Sequence, residues 1–110
     1  MNDFSGYRFM WAIVLFDLPV LNKDQRKKAT GFRNHLLDLG FQMAQYSVYM
    51  KFCGTRDALN TLTKRIMREI PSSGKVSIIS ITDKQYGSMK VFVGRTQDEK
   101  NRERKQLLLL

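Results

Sequence analysis

The chain is poor in the residues from which most catalytic and structural centres are made. Its 110 residues include one cysteine, Cys53, and one histidine, His35. A single cysteine forms no internal disulfide and no cysteine metal cluster, and it fits a reducing compartment. A single histidine supplies neither a histidine metal site nor a base for a histidine-paired nucleophile, which excludes zinc sites and catalytic triads within one chain. Cys53 reads as a small half-buried strand residue, and His35 as a solvated helix position. There is no glycine-rich phosphate loop. Long apolar runs are missing too: the longest, Phe9 to Phe16, is far short of the ~20 residues of a membrane helix. It follows Asn2 and Asp3 rather than a basic cluster, and no small-residue cleavage site comes after it. Neither a membrane span nor a secretory leader is expected, so a cytoplasmic location is.

Acidic residues are scarce as well, 10 Asp and Glu against 19 Lys and Arg, for a net charge of +9 and a pI near 10.0. Such an excess on one small domain favours a polyanionic partner, because neutralising phosphates releases condensed counterions. Anionic lipid is the competing partner, but neither expected helix has the aromatic-plus-lysine face of a membrane-surface helix. Nucleic acid is the favoured partner.

What the chain does contain is material for one ordered domain, with 43% hydrophobic and 26% charged residues. Residues 1–6 read as a polar tail, and Met10 is a second candidate start. Tyr7 to Asp17 reads as a strand, ended by Asp17-Leu18-Pro19. Its two alternating sets are both apolar, as in a central strand covered twice. Asn22 caps a helix with Gln25 reaching back, Ala29, Phe32, Leu36 and Leu39 form its apolar stripe, and Gly40 ends it. Phe41 to Cys53 is too long for one typical strand and divides at a bend around Tyr46 and Ser47. Thr55 caps a second helix with its stripe at Leu59, Leu62, Ile66 and Ile70. Lys75 to Thr82 is a fourth strand, again apolar on both faces and read as central. Asp83 to Ser88 is a loop, and Met89 to Val93 a short fifth strand. Residues 95–110 are a charged tail ending in Leu107-Leu108-Leu109-Leu110, expected to dock as a strand or plug or to be an artefact of the end of the gene.

The order strand, helix, strand, strand, helix, strand is ferredoxin-like, an α+β arrangement over residues 7–94 with one additional C-terminal strand. Right-handed crossovers put both helices on one face of an antiparallel sheet. The other face is apolar and bare, and a symmetric dimer packed sheet against sheet is the economical cover.

Asp17 is the acidic residue that ends a core strand. A carboxylate held there on a rigid element suits Mg²⁺, which takes one or two protein carboxylates and keeps several waters. Such a metal activates water in phosphodiester hydrolysis. An aspartate before Leu18-Pro19 also shapes turns, and both readings stand on spacing alone. Asp83 reads as a turn residue, and the hydroxyls of Tyr46 and Ser47 either contact substrate or satisfy local backbone. Exposed cations on the two helices, Arg26, Lys27, Arg33, Arg65 and Arg68, are the candidate phosphate contacts.

These residues resemble the CRISPR-associated protein two family, in the form found beside a single large RNA-guided effector. The matching pieces are Trp11 to Pro19, Phe32 to Phe41, Met43 to Met50 and Thr82 to Gly87. The resemblance implies a ferredoxin-like homodimer in which Asp17 is the magnesium ligand of a metal-dependent nuclease, acting on RNA in some members and on double-stranded DNA in others. It also implies a role in spacer acquisition, in which the dimer bridges two dimers of the integrase, CRISPR-associated protein one, and the basic surface holds duplex DNA. The C-terminus departs from the pattern, since related tails end in a mixed polar-aromatic segment rather than four leucines.

Two other classes compete. A non-catalytic RNA-binding ferredoxin-like module stacks bases on a motif of set order on its third strand, and the nearest text, Lys90 to Gly94, has the wrong order on a late strand. An mRNA-cleaving toxin of the VapD type shares the fold, needs no integrase, and is toxic when expressed alone. The charge itself makes a prediction common to the nucleic-acid readings. Duplex affinity should be insensitive to sequence and fall steeply between ~50 and ~200 mM salt, and a flat titration would rule out a phosphate clamp.

Overall fold

The computed structural model describes residues 9–94. The two tails, including Tyr7 and Arg8 of the expected first strand and the leucine segment 107–110, lie outside the described residues.

The apolar run Met10–Asp17 forms strand β1. It pairs antiparallel on one side with β3, Val48–Gly54, and on the other with β4, Lys75–Thr82. The short strand β2, Gln42–Gln45, completes a sheet of order β2-β3-β1-β4. Strands β1 and β2 are joined through helix α1, Lys23–Asp38, and β3 and β4 through helix α2, Arg56–Met67. A third helix, α3, spans Asp83–Gly87. This is the expected ferredoxin-like α+β arrangement, a split βαβ in which β3 lies between β1 and β2, and β1 between β3 and β4.

Local chemistry sets the boundaries. The Asn22 side chain accepts from the Gln25 amide at 2.8 Å, while the Gln25 side chain accepts from the Asn22 amide, so the expected capping box starts α1. Its end is a Schellman closure: the Phe41 amide donates to the Leu36 carbonyl and that of Gly40 to Leu37, with Gly40 at φ +95°. Thr55 caps α2 through the Ala58 amide. That helix stops at Met67, one turn earlier than the stripe predicted, and Ile70 lies beyond it, partly exposed. Between Met10 and Trp11 the β1–β3 register shifts, leaving Cys53 as the extra residue of a bulge. Burial pushes the Cys53 thiol up from its ordinary value, with an Ala12 backbone hydrogen bond and the Lys51 charge opposing the rise.

Alternation along β1 divides the sheet into two faces. Met10, Ala12 and Val14 are buried beneath the helices with Phe32, Leu36, Tyr49, Leu59, Leu62 and Ile66. Phe16 joins them by edge contact with Phe32 and stacking on Tyr49. On the opposite face Trp11, Ile13 and Leu15 align with Phe52, Met50 and Val48 of β3 and with Ile81, Ile79 and Ser77 of β4. Among the described residues no helix longer than α3 covers that face, and Ile79 and Phe52 are each 45% exposed.

Three expectations are corrected. Strand 75–82 is an edge strand, not a central one. Its second apolar set faces the open side, so its two-sided apolarity reflects that uncovered face rather than a flanking strand. Residues 83–87 form a helix where a loop was expected, because Thr82 and Gln85 make a second capping box. Residues 89–94 form no strand, since α3 turns the chain off β4 and onto the open face, and Val91, Phe92 and Val93 stand exposed.

Helix α3 is fixed there by Trp11. The indole stacks on Tyr86 with centroids 3.6 Å apart, and its Nε1 donates to Asp83 Oδ1 at 2.7 Å. Asp83 is therefore a docking residue of the open face. Trp11 is the one tryptophan of the chain, so its emission reports this contact. Tyr86→Ala should red-shift that emission and lower stability by about 1 kcal/mol, as loss of a stacked aromatic pair does. Unchanged emission would show that α3 does not dock on Trp11.

Candidate nuclease site

Asp17 ends β1 where three segments meet. The Phe16 amide donates to the Ser47 carbonyl at 3.1 Å, tying the strand end to the β2–β3 hairpin. On the other side Asp17 is in register with Lys75, the first residue of β4. Just before Lys75, Gly74 packs so closely that a Cβ there would lie 2.6 Å from the Asp17 carbonyl oxygen and 3.0 Å from Leu18 Cα. Its φ of +92° independently favours glycine.

The Asp17 side chain is exposed. No hydrogen bond or ion pair among the described residues engages its carboxylate. The turn-shaping reading of Asp17 thus has no bond to rest on, since the Leu18-Pro19 turn receives none from it. The carboxylate stands on a ridge between two depressions that share Phe16, Asp17, Tyr46 and Ser47. One, about 240 Å³, adds Arg33 and Ala29 of α1. The other, about 320 Å³, adds Leu15, Lys75 and Ser77 on the open face. Among the described residues Asp17 is the sole acidic one lining either depression.

The hairpin tip is strained at one point, with Ser47 at φ +63°. Ser47 is the second residue of the two-residue connection, a position where a left-handed φ ordinarily selects glycine or asparagine. The bend expected around Tyr46 and Ser47 is therefore present, between Gln45 and Val48.

The five candidate cations are not brought together. Arg33 reaches the Asp17 depression. Arg26 is exposed and donates from Nη1 to the Val20 carbonyl at 3.3 Å, bracing the loop that leaves Asp17. Lys27 is exposed on α1 and lines neither depression. Arg65 lines a separate groove of about 390 Å³ between the helices with Asp38, Lys51 and Thr61. Arg68 caps the C-terminus of α2. His35, expected to be solvated, instead places Nε2 3.0 Å from the Arg65 carbonyl and links the two helices; a carbonyl only accepts, so Nε2 carries the proton.

Among the described residues no group of three His, Cys, Asp or Glu side chains gathers to hold a metal. One carboxylate with neighbouring neutral oxygens suits an ion that keeps most of its water, as Mg²⁺ does, and not a dedicated calcium or zinc cage. Sequence reasoning found Asp17, Tyr46 and Ser47 here but missed Gly74 and Lys75. The signal for both was the Ser73-Gly74 turn, whose partner across the sheet emerges only from the β1–β4 register.

Gly74→Ala should cost about 1–3 kcal/mol through its positive φ alone, the close approach adding to it. It should also shift the amide resonances of Asp17 and Leu18. A variant with wild-type melting and an unmoved Asp17 would refute the close packing.

The family model described as "CRISPR associated protein Cas2" matches residues 10–89. A CRISPR-associated endoribonuclease Cas2 of Paracidovorax avenae is 52% identical over 93 residues, covering 84% of this chain and 86% of its own. One of Flavobacterium psychrophilum is 44% identical over 105 residues, covering 96% and 91%. A solved structure titled "Crystal structure of cas2" superposes with a TM-score of 0.56 at 22% identity, over 81% of this chain and 91% of that one, which bears on the fold alone. The sheet order and the strand-end aspartate are thus found in a chain that belongs to the Cas2 family of CRISPR-associated proteins.

Proposed function

We propose that this protein is a CRISPR-associated endonuclease that hydrolyses phosphodiester bonds at Asp17, working as a homodimer with Mg²⁺. The observation that carries the reading is an exposed carboxylate on a rigid strand end, without an internal partner and flanked by Arg33 and Lys75. Relatives are named endoribonucleases, which supports RNA as a substrate.

Each residue's contribution follows from its place. The two cations draw the phosphate backbone toward the ridge by charge. Strand pairing along β1 and the Gly74 contact fix the backbone that carries the carboxylate, so the strand end need not rearrange when substrate arrives. Asp17 would hold the magnesium ion, which when bound activates water and offsets the charge developing on the phosphoryl oxygens.

One carboxylate per chain also explains why two copies are needed. Helix α3 occupies the Trp11 end of the open face, leaving an apolar strip toward the Asp17 end in which Ile79 is exposed and Ile13, Leu15 and Met50 are half-buried. A two-fold partner seated on that strip brings two Asp17 side chains to one seam. The exposed segment Val91 to Val93 then extends onto the partner, where the outer edge of β4 has no neighbouring strand among the described residues.

A second role, in spacer acquisition with the integrase, is favoured by the placement of the helix cations. Arg65 on α2 and Arg68 at its C-cap line neither Asp17 depression, so that face can hold duplex DNA without cutting it. In this role Asp17 need not be catalytic.

Asp17→Ala should lose about 100-fold or more of the Mg²⁺-dependent cleavage of labelled RNA while remaining a folded dimer. Cleavage that persists in Asp17→Ala, or in chelator, would sink the nuclease reading. A monomer in solution would sink the shared seam.

A further inference from the structure

Tyr46 is out of place for a residue that only closes a hairpin. It is 86% exposed, and among the described residues it makes no ring contact, hydrogen bond or ion pair. The other exposed aromatic of the sheet, Phe52, packs on Phe9 and Trp11. Yet Tyr46 lines both depressions that meet at Asp17, beside Arg33 in one and Lys75 in the other. Its position is fixed, because Gln45 and Val48 pair on either side of the turn and the Ser47 carbonyl is bonded to the Phe16 amide.

A bare aromatic ring interleaved with cations is the means by which proteins grip unpaired nucleotides: bases stack on the ring while the cations follow the phosphates. A duplex keeps its bases stacked inside and presents no face to such a ring. The geometry points to Tyr46 as a base-stacking residue that makes the site select single-stranded nucleic acid over duplex. This inference rests on the reading of Asp17 as the cleavage centre, since the stacked base sets which phosphate lies on the ridge. Tyr46 is thus the residue that discriminates strandedness, and the sugar is not read by it.

The test measures binding of the full-length protein, in chelator so that nothing is cut. The probes are short labelled oligonucleotides: an unstructured single-stranded RNA, the matching single-stranded DNA, and a duplex. Tyr46→Ala should weaken binding of both single strands by about 5–100-fold and leave duplex binding unchanged. Tyr46→Phe, which keeps the ring, should bind as wild type does. In cleavage assays the Tyr46→Ala loss should fall on KM, whereas Asp17→Ala should bind single strands normally. Three results would overturn the proposal: wild-type single-strand binding by Tyr46→Ala, equal losses for single strand and duplex, or loss of the dimer in Tyr46→Ala. If no variant cuts anything while Tyr46→Ala still loses single strands selectively, the Asp17 reading fails and the stacking role stands.

Discussion

A strand that is apolar on both faces and bonded along both edges leaves its neighbours few choices, and β1 is such a strand. Both neighbours, β3 and β4, run antiparallel to it, so the crossovers through α1 and α2 join the parallel pairs β1–β2 and β3–β4, while a tight hairpin joins β2 to β3. Its inner set, Met10, Ala12 and Val14, draws both helices to one side. Its outer set leaves an apolar face that α3 covers only at the Trp11 end. The place where β1 can no longer continue, Asp17-Leu18-Pro19, becomes the one point where hairpin, β4 turn and α1 converge. The candidate site is thus a by-product of how the central strand stops.

Charge plays a different part. The net +9 does little for the fold, and the exposed Asp24–Lys28 pair of α1, at 3.2 Å and one turn apart, is worth a few tenths of a kcal/mol. Folding is carried by a core without buried charges among the described residues. The excess of cations therefore remains available to a polyanion rather than being consumed internally. Two regions of different character result. One is a ridge where a single carboxylate sits among cations, and the other is a groove between the helices where Lys51 and Arg65 face Asp38.

Much of this was legible in the sequence because it is local. The alternation in β1, the Asn22–Gln25 box, Gly40 and the Tyr46-Ser47 bend each have a short-range cause, and each lies where the pattern put it. The aspartate at the strand end was visible for the same reason. What failed to show was non-local. The apolar pattern of 75–82 could not say whether its second face meets a strand or stays uncovered, and it belongs to an edge. Asp83 looked like a turn residue because its partner, the Trp11 indole, is 72 positions away. His35 looked solvated until the end of α2 was brought beside it. Lys75 and Gly74 acquired a role only through register.

The contact between Gly74 and Asp17 also bears on how such a chain can vary in length. From Arg68 to Ser73 the connection after α2 is surface chain, where inserted or deleted residues can loop outward at little entropic cost. Between Gly74 and Lys75 there is no such slack. The α-carbon of Gly74 rests on the strand-end backbone, and Lys75 begins the pairing with β1. One added residue at that junction would either slip β4 by a position, turning its inner set outward, or lift the glycine off the aspartate. Natural length variation should therefore accumulate up to Ser73 and stop at that peptide bond, a boundary that divides a tolerant connector from a segment measured against the site.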